Sequence, residues 1–244
     1  MEKMIQDAIQ DAKVSGDTLF DTVSARLSKV DESIRYPDKA GGCFIKVTRV
    51  YTKEGRKPIE GVQVGDYVLS SPEDGSGAPE YKRVLKTIAH EPQPIFRISI
   101  GPEGWEFPDP LTAVVATGNH PFWVEGIGWT RADMLKSGQR LRQGNGDFAV
   151  VYGMEPVYRT GKEGIGWVPT GTKLDGYGTV FNYAEYDVAS DEDQEQFKYL
   201  PREVLNSDDL FLRVPVFNIE VEDFHTYYVG GKHGFWVRGA LSTS

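Results

Sequence analysis

The stretch VFNIEVEDFHTYYV, residues 216–229, has the pattern of two β-strands joined by a turn. Alternation places the apolar side chains of its first half on one face, and Asn218 and Glu220 on the other. His225 falls in the turn before the second strand. Taken alone, the pattern also fits an ordinary structural hairpin with a hydrogen-bonded histidine.

Outside this hairpin, short β-rich runs follow one another from Phe44 onward, separated by Gly, Pro, Asp and Asn. The 27 glycines fit many tight turns, and one short helix is predicted over residues 130–136. The pattern predicts an all-β domain of about 200 residues. Its predicted strands are Phe44–Tyr51, Tyr67–Ser71, Val84–His90, Ile95–Ile100, Ala113–Val124, Phe148–Val157, Val214–Val221, Thr226–Val229 and Gly234–Val237.

Two segments differ from this β-rich pattern. Apolar residues recur at helical spacing in residues 1–30, which predicts two short helices, and the Gly and Pro of residues 31–42 predict a linker. Such short helices bury little by themselves, so we expect them to pack on the domain or on a partner. Residues 159–209 have the character of an insertion, whose acidic run Asp191–Glu195 we expect to face solvent.

The composition excludes several classes of protein. With 27 Lys and Arg against 36 Asp and Glu, the 244-residue chain carries a net charge of −9, which argues against a nucleic-acid partner. No apolar run approaches the roughly 18–20 residues that a membrane span needs, and the first residues are too polar for a signal peptide. Cys43 is the only cysteine, so an internal disulfide or a multi-cysteine zinc site is excluded. We predict no cofactor and no bound metal.

The dipeptide Gly42-Cys43 stands at the start of the β-domain. The thiol of Cys43 can reach the carbonyl carbon of Gly42 through a five-membered ring, and its attack would convert the amide into a thioester. Gly42 has no Cβ and tolerates a distorted backbone at such a bond. A lone cysteine is nevertheless also typical of a buried apolar position.

The stretch TGNHP, residues 117–121, follows an apolar run. An amide leaves poorly unless its nitrogen is protonated, and His120 with a near-neutral pKa can supply that proton. The hydroxyl of Thr117, three residues earlier, can hydrogen-bond the amide and hold it. A structural turn with a histidine is the alternative interpretation.

Together these three segments resemble the Hint (hedgehog/intein) superfamily, and within it the pretoxin Hint domains of bacterial polymorphic toxins and bacterial intein-like domains. The resemblance runs from Cys43 to about Gly239, apart from the insertion. Further similar stretches are Lys57–Glu60, Val64–Ser70, Thr117–Val124 with Gly128 and Trp129, and Glu220–Tyr227.

The resemblance implies a horseshoe-like β-fold with pseudo-twofold symmetry. It divides the chain into an N-terminal segment and linker (1–42), a self-processing domain (43–239) with an insertion at about 159–209, and a short tail (240–244).

The same resemblance implies the roles of the site residues. Cys43 corresponds to the nucleophile, Thr117 and His120 to the Thr-x-x-His pair, and His225 to the histidine of the penultimate motif. Asn218 falls where many inteins carry an aspartate, and its amide can orient a group but cannot act as a base.

The C-terminal end departs from the family pattern. Members that cleave there end in His-Asn, whereas this chain has Arg238-Gly239, followed by Ala240. The asparagine side chain cyclises to cut the chain, and glycine has no side chain to do so. We therefore expect no splicing and no C-terminal release by that route.

The resulting prediction is a self-processing domain that forms a thioester at Gly42–Cys43 and then loses its N-terminal segment. Its substrate would be its own flanking segment, the acceptor an external thiol, amine or water, and its natural setting a larger polypeptide whose location the sequence leaves open. The first alternative is a cleavage-inactive Hint fold that serves as a docking module in a larger secreted protein. A Cys-His hydrolase acting in trans, or a zinc site of Cys43, His120 and His225, are further alternatives.

Overall fold

The computed structural model describes residues 42–106, 110–170 and 176–241. The predicted helices of residues 1–30 and most of the predicted linker lie outside these ranges. Within them the regular structure is dominated by antiparallel β-strands, which confirms the predicted all-β class. No helix in these ranges is both long and apolar enough to cross a membrane.

In the described ranges, most strands belong to one large antiparallel sheet. Its strands are β1 Phe44–Ile45, β2 Arg49–Thr52, β3 Gly55–Pro58, β4 Tyr67–Ser70, β5 Glu80–Pro94, β6 Phe96–Gly101, β7 Thr112–Ala116, β8 Pro121–Val124, β9 Gly128–Arg131, β10 Arg140–Arg142, β11 Phe148–Pro156, β16 Arg213–Val221, β17 Thr226–Val229 and β18 Phe235–Arg238. The order of neighbours is β10-β11-β6-β7-β1-β16-β5-β4-β2-β17-β18-β8-β9, with β3 beside β2. A further pairing of β10 with β8 connects the two end regions of this path.

The short strand β1 is decisive for the site because it is paired on both sides. Phe44 lies opposite Ala116 of β7 on one side and opposite Phe217 of β16 on the other. The residues that follow these two partners, Thr117 and Asn218, are therefore brought to the point where the chain enters the sheet. Antiparallel pairing thus places segments distant in sequence around Cys43.

Residues 158–188 form a separate four-stranded sheet. Its order is β12-β13-β14-β15, with bounds Tyr158–Arg159, Ile165–Pro169, Gly178–Asn182 and Asp187–Val188. The backbone N–H of Arg159 donates to the carbonyl of Leu210 at 3.0 Å, so the chain leaves and re-enters the main sheet at neighbouring points. Two short helices follow the sheet, Asp191–Gln196 and Arg202–Leu205.

Several local predictions differ in part from the structure. In the acidic run Asp191–Glu195, the side chains of Asp191, Glu192 and Glu195 are exposed as predicted. Asp193 is the exception: it is only 5% exposed and accepts hydrogen bonds from Lys162 and Ser190. The helix predicted over residues 130–136 is a single 3₁₀ turn, Ala132–Met134. The strands predicted over Phe44–Tyr51 and Ala113–Val124 are each broken in two, because the backbone turns between β1 and β2 and between β7 and β8.

Candidate functional site

The backbone N–H and the backbone carbonyl of Cys43 both form hydrogen bonds with Thr117. The N–H of Cys43 donates to Oγ1 of Thr117 at 2.8 Å, and the N–H of Thr117 donates to the carbonyl of Cys43 at 2.8 Å. Oγ1 also lies 2.7 Å from Oδ1 of Asn119, to which it donates. Because the hydroxyl proton of Thr117 is used in the bond to Asn119, its oxygen lone pairs can accept the hydrogen bond from the Cys43 N–H.

The carbonyl of Gly42 accepts a hydrogen bond from Nδ2 of Asn218 at 2.6 Å. The oxygen of the same side-chain amide, Oδ1 of Asn218, accepts hydrogen bonds from the N–H of Ile219 and from the hydroxyl of Tyr227, each at 2.7 Å. The peptide that joins Gly42 to Cys43 is therefore hydrogen-bonded at its oxygen by one side chain and at its nitrogen by another.

His120 lies against the same peptide. It is fully buried, and a Cβ added to Gly42 would lie 2.1 Å from Cα of His120, so only glycine fits between the histidine backbone and the start of β1. Sequence reasoning explained this glycine by backbone distortion, whereas the structure explains it by lack of space.

The ring of His120 packs in apolar surroundings, with its centroid 4.0 Å from that of Phe44 and 5.6 Å from that of Phe122. Neither ring nitrogen has a well-aligned hydrogen-bond partner in the described ranges. Burial lowers the pKa of His120 to about 3, and the nearby Gly42 backbone opposes this shift only in part. The predicted near-neutral pKa is therefore wrong, and the imidazole is neutral at pH 7.

The thiol of Cys43 is buried as well, with 3% of the residue exposed. It belongs to an apolar cluster that includes Ile45, Val115 and Val216, and burial raises its pKa to about 12. The cysteine is consequently a neutral thiol at pH 7, and its ionisation requires help.

His225 occupies a different place. It is half-buried in the turn between β16 and β17, with φ of 51°, and its carbonyl accepts from the N–H of Gly239 at 2.7 Å. The contacts around the Gly42–Cys43 peptide come instead from Thr117, His120 and Asn218. The structure thus places His225 beside the C-terminal end of the domain.

Sequence reasoning missed Tyr227. Its hydroxyl reaches Asn218, yet in the sequence it is one of two consecutive tyrosines in a predicted strand, and no local signal separates it from Tyr228. Only the pairing of distant strands shows which of the two faces the site.

A metal centre has no support in the described residues. Within residues 42–106, 110–170 and 176–241, no three His, Cys, Asp or Glu side chains are grouped closely enough to hold a metal ion. The alternative of a zinc site formed by Cys43, His120 and His225 is therefore not supported.

Comparison with known families gives a match to the pretoxin HINT domain over residues 49–157. Residues 49–157 are thus similar to pretoxin Hint domains. The matched span includes Thr117 and His120, whereas Cys43 precedes it and Asn218 and His225 follow it. The search of curated proteins found no match.

Solved structures with a Hint fold match a longer part of this chain. The solution structure of a bacterial intein-like domain from Clostridium thermocellum is 22% identical, with a TM-score of 0.50, covering 82% of this chain and 98% of that one. The Ssp DnaB mini-intein variant M86 is 10% identical, with a TM-score of 0.50, covering 84% of this chain and 98% of its own. At these identities the comparison establishes the Hint fold.

Proposed function

We propose that this Hint domain cuts its own chain at the Gly42–Cys43 bond through an N-to-S acyl shift. One observation carries the proposal: the peptide group is held at both ends, by Asn218 at the Gly42 oxygen (2.6 Å) and by Thr117 at the Cys43 nitrogen (2.8 Å). An ordinary strand entry has no need of two side chains on one peptide group. An acyl transfer does, because charge develops on that oxygen and a proton must reach that nitrogen.

Asn218 would act on the carbonyl. As the Cys43 sulfur attacks the Gly42 carbon, the C=O double bond opens and negative charge collects on the oxygen. A buried N–H donor that already points at this atom stabilises the charge without reorganisation, and the loss of one such donor typically costs about 10²–10³ in rate. Asn218 serves this role better than a carboxylate, which would repel the charge.

His120 would carry the proton. The shift forms a C–S bond and breaks the C–N bond, and the proton lost by the thiol ends on the new α-amine of Cys43. With a pKa of about 12, complete ionisation of the thiol at pH 7 would cost roughly 7 kcal/mol at about 1.36 kcal/mol per pKa unit. Since the pKa of His120 is about 3, a separate imidazolium would be costly as well. The proposed relay is therefore concerted: one ring nitrogen takes the thiol proton while the other gives a proton to the leaving nitrogen, so that neither ion forms.

Thr117 would hold the leaving nitrogen in place, and the thioester would then pass to water, or to an external thiol or amine. His225 is left out of this step, because its backbone is bonded to Gly239 rather than to the Gly42–Cys43 peptide. Arg238-Gly239 in place of His-Asn removes the group that would complete splicing, so the proposed reaction ends with N-terminal release.

A cleavage-inactive domain that serves for docking is the second candidate. It is favoured by the apolar surroundings of the thiol, whose high pKa makes it a poor nucleophile without assistance. The two candidates differ in one measurable property, which is whether the folded chain is cut by an added nucleophile.

The test is intact-mass analysis of the purified chain after incubation with dithiothreitol or hydroxylamine. We expect fragments 1–42 and 43–244, none from Cys43→Ala, and a rate lower by about 10²–10⁴ for His120→Ala. His233→Ala, a histidine near the C-terminal strand, is the matched control and should cleave normally. A folded wild-type chain that stays whole with both nucleophiles would favour the docking candidate.

A further inference from the structure

The hydroxyl of Tyr227 is a buried group to which the proposed cleavage assigns no role. Tyr227 lies in β17 with no exposed surface, and its ring packs edge-on against Phe44 at 6.3 Å between centroids. Its hydroxyl donates to Oδ1 of Asn218 at 2.7 Å, so it is one residue removed from the Gly42 carbonyl.

The direction in which the Asn218 amide points depends on this bond. Oδ1 faces two donors, the Tyr227 hydroxyl and the Ile219 N–H, and Nδ2 faces the Gly42 oxygen. A flipped amide would set its NH₂ group against those donors and its oxygen against the carbonyl. The contacts with the Ile219 N–H and the Gly42 carbonyl would then be repulsive, and the Tyr227 hydroxyl would have to act as an acceptor instead of a donor.

The tyrosine also remains a donor over the whole working range of pH. Burial raises the pKa of Tyr227 well above its ordinary value, and the charge that Cys43 acquires when it is ionised raises it further. A bond donated to Oδ1 polarises the amide and strengthens its own Nδ2–H as a donor. The series of hydrogen bonds from the Tyr227 hydroxyl through the Asn218 amide to the Gly42 oxygen therefore polarises the Gly42 carbonyl.

We propose that Tyr227 is a positioning residue of the acyl shift, which holds the Asn218 amide so that its N–H points at the Gly42 carbonyl. The inference rests on the proposed cleavage for its kinetic consequence. Its geometric part holds whether or not the chain is cut, and can be tested separately.

The chain provides a matched control in the next residue. Tyr228 is also buried, and its hydroxyl is hydrogen-bonded to Oγ of Ser71 at 2.9 Å. Successive residues of a strand point to opposite faces. Tyr227→Phe and Tyr228→Phe thus each remove one buried hydroxyl and its bond, but only the first faces the site.

The experiment uses the fact that Cys43 is the only cysteine. Labelling with carbonyl-¹³C glycine and ¹⁵N cysteine gives a single HNCO resonance, from the Gly42–Cys43 peptide of the uncut chain. In Tyr227→Phe we expect the Gly42 carbonyl resonance to move upfield, toward its position in Asn218→Ala, and in Tyr228→Phe to stay in place. With dithiothreitol added, Tyr227→Phe should be cut about tenfold more slowly, the rate equivalent of one buried hydrogen bond.

An unshifted Gly42 resonance in folded Tyr227→Phe would overturn the inference, as would equal slowing by the two tyrosine variants. If no variant and no wild-type chain is cut, the cleavage proposal fails, while the resonance shift still decides whether Tyr227 orients Asn218. The ring is kept in both variants, so circular dichroism that matches the wild type confirms that the comparison is made on folded protein.

Discussion

His120 is a histidine whose chemistry is set by its neighbours rather than by its sequence motif. The Thr-x-x-His spacing predicts its place beside the Gly42–Cys43 peptide, and the contact with Gly42 agrees with it. The pKa depends on the aromatic rings of Phe44 and Phe122, which reach the site from other strands. Burial by such partners cannot be derived from local spacing.

The low pKa of His120 predicts a loss of stability in acid. Between pH 6.5 and about 3 the unfolded chain binds a proton at this residue and the folded chain does not. The stabilising contribution is therefore complete above pH 6.5 and is lost as the pH falls, by roughly 1.4 kcal/mol per unit. Urea unfolding at pH 7 and pH 4.5 should show that the wild type loses about 2–3 kcal/mol more than His120→Gln. Equal losses in the two proteins would contradict the assigned pKa.

Of the two side chains Asn218 and Tyr227, only Asn218 could be predicted as a site residue from the sequence. Asn218 was found because its strand matches a family motif and the amide stands where a carboxylate is common. Tyr227 was not found, because its role depends on a hydrogen bond across nine positions of chain, which a strand pattern does not encode.

The end of β18 is fixed to the hairpin formed by β16 and β17. The N–H of Gly239 donates to the carbonyl of His225 at 2.7 Å, and the N–H of Ala240 donates to the carbonyl of Ile219 at 3.0 Å. A Cβ at position 239 would lie 2.8 Å from that Ile219 oxygen. Gly239 is thus required by packing, and an asparagine at this position would collide with the Ile219 carbonyl.

We expect the double variant Arg238→His, Gly239→Asn to remain uncut after position 239. The added side chain should also strain the hairpin and lower stability by about 1–3 kcal/mol. Intact mass would detect loss of residues 240–244, thermal unfolding would measure the strain, and Arg238→His alone is the control that keeps the glycine. Release of the tail by the double variant at unchanged stability would show that the site tolerates a side chain.

Over the whole molecule, the second sheet covers the side of the main sheet that contains Cys43. Val168 of this sheet and Tyr183, which directly follows strand β14, belong to the same apolar cluster as Cys43 and Ile45. The sequence located this segment by its change in composition, but its fold was not predicted, because Gly-rich and acidic stretches carry little periodic signal. The insertion therefore contributes to the burial that raises the pKa of the thiol.

Removal of this cover should make Cys43 reactive. If residues 160–209 are replaced by an Asn-Gly turn, the adjacent Arg159 and Leu210 can be joined without disturbing the main sheet. Alkylation by iodoacetamide at pH 8 should then be about tenfold faster or more, since the thiol becomes accessible and its pKa falls. Lys162→Ala, which loses the ion pair to Asp193 but keeps the cover, should react like the wild type. Unchanged alkylation of the shortened, folded chain would show that the main sheet alone buries the sulfur.

The tight approach of Gly42 to His120 also limits which polypeptides this domain can follow. Any protein fused ahead of Cys43 has to present glycine as its last residue, because even a methyl group there would collide with the histidine backbone. Residues further upstream make no such demand through this contact. As a tool for releasing a chosen cargo, the domain would be selective at one position, and that selectivity would come from steric exclusion rather than from recognition.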